Sequence, residues 1–389
     1  MRENWEYKTF GEIGTFLRGK NIQKADFVSG GLPCIHYGQI HTKFDISIDY
    51  HLSEIPQEVY DKAIIASPGD VIIAITSEDI DGSCKSVVWL GNYDIAVSAH
   101  AAILKHNMNG KFIAYYLRSN TFFTQKLKYA RGFKVMEIKT KDLAKLVLPI
   151  PPKPTQLSIV SELDKINELI QIKKEQLKDY DALAQSIFYE MFGDPVENEK
   201  GWEVKTFGDC FSIGAGGTPS TKVKEYWDNG TIPWIGSNMC QNCIITETDG
   251  KFITEEGLNH SSTKLLSPGT VLVALVGATI GKVGLLRIET CTNQNVAFIK
   301  VQEAETFTSE FVYYHLMGLY GEFMKIGKGN FKMANQGFIK LLPISCPPLS
   351  LQQSFAHKIE QIERQKAEVQ KTITDLETLL AARMQYWFD

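Results

Sequence analysis

No stretch of the 389 residues approaches the ~18 consecutive apolar side chains that a membrane-spanning helix requires, and the opening MRENWEYKTF lacks an apolar signal region. A soluble, cytoplasmic chain that does not engage a membrane is therefore expected. Positive charge is not in excess: 41 Lys and Arg stand against 45 Asp and Glu, a formal charge of −4, so any affinity for nucleic acid must come from local patches or from a partner. Cysteine is sparse and odd in number, seven over the whole length, which argues for free thiols in a reducing compartment. Cys240 and Cys243 have metal-ligand spacing, but no second pair follows to complete four ligands, and no metal site is expected. Catalytic motifs are missing as well. No GxGxxG opens a helix after a strand, and no GxSxG elbow occurs. GATIGKV at Gly277 has one residue too few for a phosphate loop and places Val283 where Ser or Thr would hold magnesium, so it reads as a Gly-rich turn between strands. His100 lies in an apolar run and reads as a satisfied core histidine. A reader or scaffold fits these absences better than a catalyst, with no catalytic residue and no cofactor of its own.

What the sequence does contain is a pair of long helices. From Thr155 to Asp194 the residues Ile159, Leu163, Ile166, Ile170, Leu177, Tyr180, Ala184, Ile187 and Met191 recur at 4-3 spacing, interrupted only by Lys173, so one narrow stripe faces a partner helix. From Gln352 onward, Phe355, Ile359, Ile362, Val369, Ile373, Leu376, Leu380 and Trp387 keep the same register. The two stripes superpose with a constant shift of 196, from 159 to 355 and from 191 to 387.

That shift extends to the whole chain, which is a tandem duplication. WEYKTFGE from Trp5 returns as WEVKTFGD from Trp202; LPCI around Pro33 returns as IPWI around Pro233. SPGDVIIAI from Ser67 returns as SPGTVLVAL from Ser267, FIAYYL from Phe112 as FVYYHL from Phe311, and LVLPIPP as KLLPISCPP. The predicted divisions are a first globular unit over 1–152, a long helix over 153–194, a connector over 195–201, a second globular unit over 202–348 and a C-terminal long helix over 349–389. Within the first unit, Pro-Gly-Asp and the apolar run after it predict a turn and a buried strand; SVVWL and IAVSAHAAILK predict further strands, and Phe112–Tyr129 a helix. The framework repeats while polar loop residues diverge, the pattern of two binding surfaces with different targets. The fold class is α+β: two mixed α/β units held apart by two long helices paired as an antiparallel coiled coil, with an internal pseudo-two-fold repeat.

A tandem module with an opening WExKTFG, a proline-rich entry to each long helix (PPKPTQ at Pro151, PPLSLQQ at Pro347) and an MFGDP connector resembles the specificity subunit of type I restriction–modification enzymes. IHYGQIHTKFD from Ile35, AVSAH at Ala96, GGTPST at Gly216, IPWIGSNM at Ile232 and ATIGKVG at Ala278 look like stretches of that family's target recognition domains. The resemblance implies a subunit that reads double-stranded DNA and carries no catalytic site. Two adenine-N6 methyltransferase subunits and, for cleavage, two restriction translocase subunits would assemble on it, bringing S-adenosylmethionine and ATP as their own cofactors.

Two helices of ~38 residues at 1.5 Å rise are ~57 Å long, which in antiparallel pairing suits two readers set one or more ~34 Å turns of B-DNA apart. A bipartite, asymmetric target with a fixed unread spacer is expected. Candidate DNA-binding residues are His36, Tyr37, Gln39 and His41 in the first unit and Thr218, Ser220, Trp234, Ser237 and Asn238 in the second, because Gln and Asn pair bidentately with adenine while Ser and Thr are tolerant. Arg131, Lys134, Lys328 and Lys332, in equivalent basic loops, suit phosphate positioning. Each lysine could equally be a solvated surface charge, and His36 or Trp234 a packing residue. Two other classes remain open at this level: a coiled-coil adaptor that binds only proteins, and an enzyme in its own right, the latter weakened by the missing Asn-Pro-Pro-aromatic motif of amino-methyltransferases.

Overall fold

The computed structural model describes residues 5–132, 135–303, 305–326 and 333–389. They fall into two compact units: one comprises residues through Lys174 together with Lys371–Asp389, the other Glu175–Gln370.

The first unit is built on a five-stranded sheet in the order Gly14–Arg18, Ala101–His106, Val71–Ala74, Ser86–Trp89, Ser47–Ile48, antiparallel except for the last pair. A second sheet runs Ser53–Ile55, Leu32–Ile35, Ile95–Val97, Ile64–Ala66. The central strand VIIA is buried on both faces, which is why its sequence is an apolar run rather than an alternation. Ile72 and Ala74 pack with Trp89, Val97 and Ile103, whereas Val71 and Ile73 pack with Phe112, Tyr116, Phe122 and the long-helix residues Ile159 and Leu163.

The second unit repeats this plan. Its five-stranded sheet follows the equivalent order Ser212–Ala215, Val296–Lys300, Val271–Ala274, Val283–Leu286, Cys243–Ile245, again with only the last pair parallel. A smaller sheet holds Phe252–Ile253, Ile232–Ile235 and Cys291–Thr292. The WExKTFG signature has the same local cause in both units: Thr9 and Thr206 are N-caps whose hydroxyls accept from the backbone N–H of Glu12 and Asp209, and those carboxylates accept back.

The two long helices span Lys153–Phe192 and Leu349–Phe388, 40 residues each. They start slightly earlier than their periodic stripes indicate: the first takes Pro154 into its opening turn, where a proline lacks only an N–H that the helix would leave unpaired, and the second begins directly after Pro348. The first ends at Phe192, where Gly193 takes φ 78°. The proline-rich entries are held by Gln156 and Gln352, both buried, whose amides donate to Pro151 O and Pro347 O at 2.9 Å in each case.

The helices pack antiparallel. In the first unit Arg383 bonds Glu162, which also accepts from Trp387 Nε1 at 3.0 Å, while Lys174 pairs with Glu377 at 2.8 Å. In the second unit Phe355 meets Phe188 and Phe192 with ring centroids 5.6 and 5.4 Å apart, and Lys366 pairs with Asp181. Ile159, Leu163, Ile166, Ile170, Phe355, Ile359, Ile362, Val369 and Ile373 are buried; Leu177, Ile187, Leu376 and Leu380 are half-buried.

Two segments differ from the sequence expectation. The helix expected over Phe112–Tyr129 is two, Gly110–Tyr116 and Asn120–Lys126, because the Ser119 hydroxyl accepts from Phe122 N and caps a new start. IAVSAHAAILK is likewise two strands, Ile95–Val97 and Ala101–His106, in different sheets. All seven cysteines are free, and burial pushes the Cys34 and Cys84 thiols up to about 12, which makes them inert. Among the described residues no helix is long and apolar enough to cross a membrane, and no group of three or more His, Cys, Asp or Glu could hold a metal ion.

Candidate nucleic-acid interface

In each unit one turn passes the chain from the smaller sheet to the larger: Ser98–His100 in the first, Asn293–Asn295 in the second. The backbone bonds that fix it are the same in both. Ser98 N donates to Ile35 O at 3.1 Å, as Asn293 N does to Ile235 O at 3.1 Å. Ile75 N donates to His100 O at 2.9 Å, matched by Leu275 N to Asn295 O at 2.8 Å. A third segment closes over the turn: Gly19 N and Lys20 N donate to Ala101 O and Val97 O, as Gly216 N and Gly217 N do to Val296 O and Thr292 O. The glycine at 19 and 216 is obligatory, since a Cβ there would lie 2.2 Å from Ser98 O or 2.1 Å from Thr292 O, both backbone atoms that cannot yield.

The side chains mounted on this shared frame are unlike. In the first unit the turn reads Ser-Ala-His and is flanked by cations: exposed Arg18 donates to Ala99 O at 3.3 Å and pairs with Glu137 at 3.2 Å, and Lys20 is exposed beside it. Tyr37 lies between His36 and His100, with ring centroids 4.6 and 4.8 Å away. In the second unit the turn reads Asn-Gln-Asn and is flanked by amides and hydroxyls, with the Asp249–Lys251 ion pair beyond Asn238. Thr218 Oγ1 donates to Gln294 Oε1, and Asn238 Nδ2 donates to Asp249 at 3.4 Å. A Cβ on Gly236 would meet both Asn238 Oδ1 and Asn293 Nδ2, so this glycine lets two amides converge.

Several candidate residues are spent inside this frame. His36 is buried; its Nδ1 accepts from Gly38 N at 3.2 Å and caps the helix Tyr37–Thr42. Burial, with Lys24 and His100 nearby, pulls its pKa below the ordinary histidine value, so the ring stays neutral and keeps that acceptor. Gln39 Oε1 accepts from His36 N and its Nε2 donates to Ser53, while His41 Nε2 bonds Thr76 O at 3.0 Å. Trp234 is also turned inward: its indole N–H donates to Gly217 O at 2.9 Å and its ring meets Trp227 edge-on. His36 and Trp234 are thus buried within the loops, while Gln39 and His41 are half-buried and each makes a bond inside the frame. Thr218, Ser220, Asn238 and Arg131 are exposed, and Tyr37 and Ser237 are half-buried. Arg131 sits beside Glu137, to which it is bonded through the backbone in both directions. Lys134, Lys328 and Lys332 lie outside the described residues.

A model described as "Type I restriction modification DNA specificity domain" matches this chain twice, over residues 2–179 and 199–378. The chain belongs to this family. Over 219 residues it is 27% identical to the type I restriction enzyme EcoR124I/EcoR124II specificity subunit of Escherichia coli, covering 54% of this chain and 52% of that one. It is 29% identical over 194 residues to the MjaIX specificity subunit of Methanocaldococcus jannaschii, covering 49% and 44%. The chain therefore spans about half the length of the curated relatives it matches. Among solved structures, it matches a chain from a study of complex assembly and conformational transition of the type I R-M system with TM-score 0.59, at 17% identity and over 99% of this chain and 97% of that one. The type I S subunit from M. genitalium matches with TM-score 0.54, at 14% identity and over 99% and 96%. These two share its fold.

For a member of the specificity family, the most informative residues are ones that sequence reading passed over. His100, expected in the core, is exposed at the tip of the first turn; Gln294 is exposed at the tip of the second. The signal was present in the repeat: AVSAH and CTNQN occupy equivalent places, agree with their surroundings on both sides and differ at every polar position. The glycine-rich ATIGK, by contrast, is a turn: Gly277 and Gly281 take φ 71° and 74° between two strands, and the single 3-10 turn Gly277–Thr279 is too short to seat a phosphate.

Proposed function

We propose that this chain is the DNA-recognition subunit of a type I restriction–modification complex, reading a bipartite, asymmetric target with a fixed spacer. The observation that carries this reading is the pair of turns just described, identical in backbone bonding and unlike in side chains. One frame used twice with two chemistries is what two different half-sites demand. On this reading the recognition domains are residues 1–152 and 202–348, linked by 195–201, and the helices 153–194 and 349–389 form the scaffold on which two adenine-N6 methyltransferase subunits and two restriction subunits assemble in the cytoplasm. Those partners would bring S-adenosylmethionine and ATP. Within the domains, exposed Arg131, Thr218, Ser220 and Asn238, with Tyr37 and Ser237, contact the duplex. Lys134, Lys328 and Lys332 would add phosphate contacts.

A formal charge of −4 leaves little for non-specific attraction. The isolated chain is expected to bind DNA poorly and salt-sensitively, and to become sequence-specific once its methyltransferase subunit is added. Binding isotherms from 50 to 200 mM salt, with and without that subunit, check this. Tight, specific binding by the purified chain alone would count against it, and no sequence-specific binding by the complex would favour a protein-only adaptor.

A further inference from the structure

We infer that Gln294 reads an adenine in the major groove of one half-site, its amide oriented for the task by Thr218; this rests on the DNA-recognition reading above. Gln294 is exposed at the tip of a turn whose neighbours are pinned on both sides. Asn293 N is bonded to Ile235 O, Asn293 Oδ1 accepts from Asn295 N at 3.0 Å, and Asn295 O accepts from Leu275 N. A glutamine side chain on a loose loop would lose rotamer freedom on binding, and here the fold has already restricted it.

The orientation of the amide follows from the bond it makes. The Thr218 hydroxyl donates to Oε1, so the oxygen end of the amide is turned toward Thr218. One Oε1 lone pair and the Nε2 hydrogens are left to face outward. Adenine presents an acceptor, N7, beside a donor, the N6 amino group, so one amide satisfies both at once. Guanine presents two acceptors at that place and would oppose the amide oxygen.

The surroundings favour a base edge over a phosphate. Asn238, Asn293 and Thr218 are neutral, and the Asp249 carboxylate that accepts from Asn238 is paired with Lys251 at 3.2 Å. Thr218 is brought within reach only because Gly216 and Gly217 carry no side chains: a Cβ on Gly217 would lie 2.2 Å from Ser262 Oγ and 2.5 Å from Thr263 N. Gln294 is therefore the reading residue and Thr218 a positioning residue. At the equivalent place the first unit has Ala99, with no hydrogen-bonding side chain, so the assignment belongs to one half-site only.

The test is to co-produce the full chain with its methyltransferase subunit in a host and to sequence the methylome. The wild-type chain is expected to give a gapped motif with a fixed adenine in one half-site. Gln294→Ala should relax that one position, with discrimination falling roughly 5- to 150-fold, and leave the other half-site unchanged. Gln294→Glu should shift the preference there toward cytosine, whose amino group a carboxylate accepts. Thr218→Val should keep the same letters but modify them less completely at limiting expression. A gapped wild-type motif that Gln294→Ala leaves intact, or relaxes in both half-sites, overturns the assignment alone. A wild-type complex with no gapped motif overturns the assignment together with the reading beneath it.

Discussion

At the scale of single residues, the two copies solve one problem with different chemistry. In the first unit the Tyr116 hydroxyl donates to Val147 O at 2.6 Å; in the second, His315 Nε2 bonds the equivalent carbonyl of Pro343 at 3.1 Å. The histidine choice has a consequence for acid stability. His315 is fully buried among Phe207 and Phe311, and burial pulls its pKa down to about 4 against the opposing pull of the Pro343 carbonyl and Asp194. Its folded pKa is below the ordinary value of 6.5, so the neutral ring belongs to the folded state and unfolding takes up a proton anywhere between those limits. The stability it confers is present above pH 6.5 and lost as pH falls toward 4, by about 3 kcal/mol in total. His315→Tyr, the residue used by the twin unit, should flatten the pH dependence of the denaturation midpoint in that window, whatever it does to stability at pH 7. An unchanged slope would show that other groups, not His315, dominate.

At the scale of elements, the long helices were legible because burial on one stripe forces a period that few other folds share. The position of that stripe was legible only near its start. Counting heptads from Ile159 reaches Ala184, which is buried, and then Ile187 and Met191, yet Phe188 and Phe192 are the residues buried beyond it, with Ile187 and Met191 half-buried. A straight helix falls ~20° behind a seven-residue repeat at each heptad. Four heptads therefore move the facing edge by ~80°, close to one residue. Phe188→Ala should cost about 3–5 kcal/mol, since the ring packs on Phe192, Phe311 and Phe355, whereas exposed Leu183→Ala should stay within ~0.5 kcal/mol. Equilibrium urea unfolding of both variants checks the drift, and the reverse order of effects would refute it. The candidate site was less legible than the helices. Sequence pattern locates IHYGQIH and IPWIGSN as loops, but it does not reveal that His36 and Trp234 turn inward, because inward and outward side chains in an irregular loop have no period to betray them. The turns at His100 and Gln294 were hidden for a related reason: each is a three-residue bend between two apolar strands, short enough to pass for one continuous run.

At the scale of the whole molecule, the two compact units differ in one respect that their shared topology conceals: one is continuous in sequence, Glu175–Gln370, and the other is assembled from residues through Lys174 plus Lys371–Asp389. Phe388 fills the core of the discontinuous unit, with its ring 5.4 Å from Phe112 and 5.7 Å from Tyr116, and Asp389 accepts from Thr121 N at 2.8 Å. A chain ended after Gln370 should therefore retain a protease-resistant 175–370 fragment while 1–174 is digested. Limited proteolysis read by mass spectrometry decides, and equal resistance of both fragments would exclude it. The order of synthesis then runs against the order of completion. At ~5–20 residues per second, the ribosome needs ~10–40 s to travel the roughly 200 residues separating Lys174 from the segment that closes the first unit. During that interval the earlier-made half waits with an open apolar face, and the later-made half, complete at Gln370, has all its residues before the segment that closes the first unit emerges, so a chaperone that holds nascent chains has its natural client in the first 174 residues.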